Sequence, residues 1–413
     1  MGSHKLKMNI NAFWADEEVE LCFPENWDVK ECRMAGHDRL SLSDDEMRSA
    51  IQRPIGSSRL SELAKGAKEV CILFDDLAKC TPASRIMPFV IEELHAGGVT
   101  DEQIRFVCAP GAQRPLTFPE FEVKLGKKIV EKYPVYNHSV WENLVYVGQT
   151  SRGTPVHVNR EFASCDLRVG VGCIFPHQAA GFGGGGKIVL PGVCGIETIA
   201  YHHKNMRENA ELARIEGNVF RLDIEEAARM AGLRFKVDVV LNNRREVVGL
   251  FAGDLVAEHR AGVELGRQLY RTETAKGVDV LVANSYPDEG QLWRAMWCIP
   301  TSLRESGTAV VLTHSDEGYN LNQLRGRFGT NYGGRMYDPP RIFNMQKKAA
   351  KVIVVARHLS KFEKDEVGPA EKVVWCRNWE EALKELMRDN GPDIKVGVYP
   401  YAPLQIPADG PTR

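Results

Sequence analysis

The chain has 413 residues, 43% apolar and 26% charged, enough for two ordinary soluble domains whose cores need no disulfide or metal staple. Its 53 lysines and arginines nearly balance 55 aspartates and glutamates, which removes the broad positive field that nucleic acid or an anionic membrane would require and leaves a small molecule as the expected partner. The ten cysteines form no CxxC pair or metal-finger spacing, and several sit in strand-like apolar runs, so reduced, buried thiols of a cytoplasmic protein are expected.

The opening residues Met1 to Lys7 lack the apolar stretch of a signal peptide and look like an appended leader, which sets His4 aside as a metal ligand. No run reaches the length of a membrane span. From Leu60 onward strand-like and helix-like segments alternate, the pattern of an α/β fold with largely parallel sheets. Strands are expected at 69–74, 104–109, 143–148 and 166–174. Between the first two, Ile86, Phe89, Val90 and Leu94 recur at helical spacing and stop at Gly97 and Gly98, completing one βαβ unit. The first strand runs into Asp75, Asp76 and Lys79, and the second into Gly111, Gln113 and Arg114. In α/β proteins the carboxyl ends of strands are where ligands bind, so two neighbouring strands ending in polar residues favour a site over two capped turns. Thr117 and Glu120 form a capping box that starts a helix through Phe121, Val123 and Ile129.

The densest signal follows the strand at 166–174. It runs through Pro176 and His177 into GFGGGGK, Gly181 to Lys187, and on to Pro191 and Gly192. Five glycines in six positions bring backbone amides close to a ligand, where Gly183, Gly184, Gly185 and Gly186 would cradle a phosphate beside the Lys187 amine. The same residues satisfy the G-x-x-x-x-G-K pattern of a P-loop phosphohydrolase. Against that reading, Ile188 stands where a magnesium-holding hydroxyl belongs, and Pro191 interrupts the helix a P-loop lysine begins. Downstream, His202 and His203 are adjacent on a helical turn, so their side chains project about 100° apart and cannot both face one ion.

A long helical stretch from Asp254 ends before Lys276 and Gly277, and a second strand series follows at 278–283, 309–312 and 352–355, with helices expected around 340–351 and 379–389. The expected division is an N-terminal α/β domain over 9–275, a smaller α/β domain over 276–390, and a tail over 391–413 returning to the first, with the active site in the cleft between the domains.

The Asp75 turn, the Gly111 to Pro115 turn, the segment from Pro176 to Gly192 and the histidine after it together resemble the lactate racemase family, in order over roughly 60 to 300. The spacing from His177 to Lys187 and on to His203 is the most specific part. The resemblance implies a 2-hydroxy acid racemase or epimerase with a nickel pincer nucleotide, pyridinium-3,5-bisthiocarboxylic acid mononucleotide. It implies a thioamide at Lys187, His203 as nickel ligand, hydride transfer at C2, and cofactor biosynthesis proteins as partners. His177 matches one of the family's two acid–base histidines, Gln113 stands where the other belongs, and Asp76 lies in the catalytic turn. Glutamine orients an oxygen but takes no proton. Lys79 replaces an arginine, exchanging a bidentate fork for a point charge. In the second domain, Arg294 and Trp297 fall where the family presents glutamine and lysine to substrate. These departures point to an acid larger or more polar than lactate, such as an aldonate or dicarboxylate, with Lys79, Arg294 and Trp297 as substrate contacts. The alternative is a relative that binds the cofactor but works as a carrier, a sensor or a one-face oxidoreductase.

Overall fold

The computed structural model describes residues 3–14, 17–314, 322–324, 347–358, 367 and 370–409. The chain forms two compact units. One takes its described residues from Met1–His37, Tyr270–Asn320 and Tyr337–Arg413, the other from Asp38–Leu269 and Leu321–Met336.

The larger unit is built on a six-stranded sheet. Across it the strands run Val247–Gly253, Phe235–Leu241, Leu167–Cys173, Val70–Phe74, Ile104–Cys108 and Val135–Asn137, all parallel except the first pair. Val70–Phe74 is buried along its whole length, so it is a continuous apolar run rather than an alternating one, as expected of a strand covered on both faces. Each such side chain contributes roughly 1.5–3 kcal/mol relative to exposure. The chain winds from this central strand first to one side and then to the other, which makes its carboxyl end and that of Leu167–Cys173 the switch point where α/β sheets bind ligands. The helix Ala83–Ala96 ends on Gly97, and the helix Phe118–Leu125 starts with both halves of the Thr117–Glu120 capping box formed.

The smaller unit carries a second six-stranded sheet, parallel throughout. Its order is Val373–Cys376, Ala349–Ala356, Leu303–Thr313, Val278–Asn284, Lys395–Tyr399 and Asp28–Glu31. The helix Trp379–Asp389 covers it, with Trp379 meeting Phe23 edge-on.

Three expectations are corrected. Residues Ser3–Ile10 are no loose leader: they pair antiparallel with Glu17–Pro24 in register from Ser3 to Ile10, and Met8 is buried in the core. Leu144–Gln149 is a strand but stands outside the main sheet, paired antiparallel with Pro155–Asn159. The tight turn closed by Thr150 N–H to Thr154 O (2.9 Å), with Gly153 at φ +91°, returns the chain at once. Of the helix expected around 340–351, residues 340–346 lie outside the described residues. Ala349 onward is strand, drawn into the sheet by the β-branched run that follows and by pairing with Gly307–Thr313. No helix among the described residues is long and apolar enough to cross a membrane.

Candidate active site

Three loops leave adjacent parallel strands of the larger unit at their carboxyl ends. They carry Asp75 to Lys79, Ala109 to Arg114, and Ile174 to His177. Gly111 N–H donates to Gly192 O (2.9 Å), which ties the second loop to the end of the glycine segment.

The first loop is held from behind by Lys124, a lysine with no exposed side-chain surface. Its Nζ lies 2.7 Å from Asp75 Oδ1 and donates to the main-chain oxygens of Asp76 (2.9 Å) and Lys79 (2.8 Å). Thr81 Oγ1 donates to the other oxygen of Asp75 (2.5 Å). A buried ammonium without such partners would be costly, so its position fixes the loop. Lys79 Nζ reaches Asp76 Oδ1 at 3.3 Å, and its side chain is mostly buried. In the second loop, Arg114 forks onto Glu120 (2.9 and 2.5 Å) while the same carboxylate caps the Thr117 helix, and Gln113 is half-buried beside it.

His177 closes a two-residue antiparallel bridge with Gly181. Its Nδ1 accepts from the amides of Ala179 (3.2 Å) and Ala180 (3.1 Å). Two donors at Nδ1 place the hydrogen of the neutral ring on Nε2.

The glycine loop differs from its sequence expectation. The amide of Gly183 donates to Phe175 O (2.7 Å) and that of Gly185 to Asp238 Oδ2 (2.5 Å), so these two are spent inside the protein rather than on a ligand phosphate. Close packing explains the glycines. A Cβ on Gly183 would stand 2.5 Å from the Phe175 ring, and one on Gly184, at φ +75°, would stand 2.7 Å from Asp238 Oδ2. Arg221, fully buried, donates to the carbonyls of Ala180 (3.3 Å), Gly184 (3.1 Å) and Phe182. Asp238 in turn meets Lys236 Nζ at 2.5 Å. Gly183, Gly185 and Gly186 are buried, whereas Gly184 and Lys187 are partly exposed. The loop thus behaves as a rigid support that presents Lys187. After Lys187 the chain makes only the 3-10 turn Gly185–Ile188 and no helix until Ile196, so the P-loop arrangement of a lysine opening a long helix is not formed.

The helix Ile196–Asn205 carries His202 and His203, and both rings pack on Phe220. Lys187 Nζ lies 5.9 Å and the Arg207 guanidinium 5.6 Å from the centre of that ring. Phe220, fully buried, therefore gathers the two residues singled out for covalent and metal chemistry. His203 Nδ1 donates to Ile199 O (2.9 Å), which leaves the lone pair on Nε2. Removal from water, then the His202 ring and the cations of Lys187 and Arg207, hold the His203 imidazole well below its usual range, so it is neutral at pH 7. His202 is deeper: its Nε2 donates to Phe220 O (3.0 Å), and burial pushes it down to about 3.

The candidates of the smaller unit sit differently. Arg294 Nη1 meets Asp288 Oδ2 at 2.5 Å, and both side chains are buried. The anionic group expected to meet this arginine is thus supplied by the chain itself. Trp297 is buried, donates from Nε1 to Ala402 O (2.7 Å) and packs edge-on against Tyr399. Its surroundings are those of a core tryptophan and give no support to the expected aromatic platform for substrate.

Lys124, Phe220, Arg221 and Asp238 were not anticipated. Arg221 carried a legible signal, since it falls in the buried stripe of the helix Val219–Met230 with Phe220, Ile224 and Ala228, a position where a charge must have partners. Lys124 lies beside Phe121 and Leu125 on its helix in the same way.

Comparison with known proteins bears on this arrangement. The profile of the lactate racemase N-terminal domain family matches residues 14–213. A lactate racemase of Lactiplantibacillus plantarum is 30% identical over 293 residues, 68% of this chain and 68% of that protein. One of Thermoanaerobacterium thermosaccharolyticum is 27% identical over 296 residues, 69% of each. The apoprotein structure of a lactate racemase from the latter organism superposes with a TM-score of 0.75 over 98% of this chain and all of that one, at 21% identity. A Thermotoga maritima protein superposes at 0.66 over 89% of this chain and all of its own, at 18% identity. These last two likenesses show the fold. The sequence matches show that the chain belongs to the lactate racemase family and is an isomerase of the racemase kind.

Proposed function

We propose that this protein inverts C2 of a 2-hydroxy acid with a nickel pincer nucleotide attached at Lys187 and His203 as the protein's nickel ligand. The observation that carries the reading is the Phe220 cluster, where the Lys187 amine and a neutral imidazole with its Nε2 lone pair gather on one ring. The residues fit such a group. An imidazole nitrogen suits nickel in a tetragonal field, a partly exposed lysine can be acylated, and Gly184 is partly exposed where Gly183, Gly185 and Gly186 are buried. Among the described residues no three His, Cys, Asp or Glu gather into a metal site, so His203 would act as a single protein donor to a metal otherwise held by the organic group.

When bound, the cofactor supplies a hydride acceptor. The chain's own residues do the rest. Lys79, tethered to Asp76, pairs with the substrate carboxylate. His177 offers Nε2–H to the substrate oxygen. To take the hydroxyl proton it must exchange its contacts with the Ala179 and Ala180 amides for a proton on Nδ1. Gln113 orients the oxygen from its own loop and moves no proton. Lys79 and Gln113 are the departures that favour a substrate other than lactate. The pairing of Arg294 with Asp288 removes the reason to require a second anionic group on it.

The test is intact mass and nickel analysis after co-expression with cofactor biosynthesis proteins, then exchange of C2 deuterium with lactate, malate and several aldonates. An adduct mapped to Lys187, nickel lost in His203→Ala, and inversion of one of these acids are expected. Loaded protein modified elsewhere, or nickel retained in His203→Ala, would defeat the assignment. Net formation of the 2-oxo acid without inversion would favour the one-face oxidoreductase that Gln113 keeps open.

A further inference from the structure

The proposed function leaves unused a fully buried histidine directly beside the assigned nickel ligand. His202 Nδ1 lies 3.4 Å from His203 Nδ1, and His202 Nε2 lies 3.0 Å from Phe220 O. A main-chain oxygen can only accept, so His202 carries its hydrogen on Nε2 and a lone pair on Nδ1. His203 Nδ1–H, which donates to Ile199 O, therefore also faces an acceptor on His202. The bonds run in one direction, from His203 through His202 to Phe220 O. Moving the His202 proton to Nδ1 alone would set two N–H groups against each other, and reversing both bonds would take these donors from Phe220 O and Ile199 O, which is costly away from water.

The chain of contacts continues behind His202. Asp223 Oδ2 stands 3.9 Å from its Nε2, and that carboxylate is held by Thr150 Oγ1 (2.6 Å) and Thr154 Oγ1 (2.7 Å), the two ends of the tight turn. His202 and Asp223 have no exposed side-chain surface. The Phe220 ring packs against both imidazoles, 4.1 Å from His202 and 5.1 Å from His203 between centroids.

We propose that His202 is a positioning residue, which with Asp223 and the Thr150 turn behind it fixes the ring and the tautomer of His203 so that Nε2 is presented as the donor atom. Metal-binding histidines are usually held through their second ring nitrogen by a carboxylate, carbonyl or water. Here a second histidine shares that task with Ile199 O. The inference rests on the proposed role of His203, but its first test needs no cofactor.

Nitrogen-15 spectra of unloaded, histidine-labelled protein should show His203 in one form, protonated at Nδ1, with scalar coupling across the contact to His202 Nδ1. A proton on His203 Nε2, or no coupling, would overturn the proposal, and neither measurement requires a variant. His202→Phe should yield a mixture of His203 tautomers. His202→Gln, whose amide can donate to Phe220 O and accept from His203, should restore the single form. An unchanged His203 in His202→Phe would also overturn it. In loaded protein, His202→Phe should release nickel about 10- to 100-fold more readily, the usual effect of removing such a partner, with the adduct at Lys187 intact. Protein that takes up no nickel at all defeats the proposed function, while the spectra of the unloaded chain still decide this inference.

Discussion

The glycine segment from Gly181 to Lys187 and the segment from Asp288 to Trp297 both stood out for their polar and aromatic residues, and the structure treats them in opposite ways. In the first, the buried charge sits beneath the loop: Arg221 and Asp238 bond its carbonyls and an amide, and Lys187 is left partly exposed. In the second, the arginine is consumed by its own aspartate and the tryptophan by its own core. The difference teaches that burial and partners, rather than residue type, separate a scaffold charge from a candidate for chemistry. The same residue type, arginine, is a scaffold in both places.

That comparison can be broken most forcefully at Arg221. Its replacement by Met would strip donors from three carbonyls, at a cost of about 1–3 kcal/mol for each one left unsatisfied. Urea unfolding should show a midpoint shift of that size together with loss of Lys187 modification. Modification at the wild-type level with unchanged stability would mean that the loop needs no support. Arg294→Met should also destabilise, by about 3 kcal/mol, because it leaves Asp288 buried alone, and adding Asp288→Asn should recover most of the loss. Substrate preference of the loaded enzyme should be the same in all three proteins. A selective fall in kcat/KM for one acid in Arg294→Met would return this arginine to the substrate.

Within the larger unit, His177→Ala should lower turnover of loaded enzyme by roughly a hundredfold or more, with nickel content retained, and Gln113→Ala should cost less. Equal, slight losses would dissolve the division of labour between them. The smallest effect is expected at Trp297→Phe, which keeps the packing on Tyr399 and removes only the bond to Ala402 O. A loss of about 1 kcal/mol in stability with unaltered KM is the outcome that keeps Trp297 a core residue.

Local pattern was sufficient wherever a short-range rule governs. The fully buried strand Val70–Phe74, the capping box at Thr117, the helix stop at Gly97 and the break after Lys187 each depend on residues within a few positions of one another. The α/β alternation and the order of polar loops at strand ends follow from the same periodicities. Pairing decided the rest. Leu144–Gln149 has the composition of a sheet strand, yet the turn at Thr150 gives it a neighbour before it can reach the main sheet. Residues Ser3–Ile10 acquire a role only from Glu17–Pro24. The glycines were legible as a tight loop, but whether their amides face a ligand or the interior depends on Phe175 and on Asp238, which lies 53 residues away from the amide it accepts. What the sequence by itself determined is the set of candidate groups and the family to which their spacing belongs. Only the tertiary structure decided which of those groups have partners, because a buried charge is settled by whatever stands within about 3 Å of it, and neighbours at that range come from distant parts of the chain.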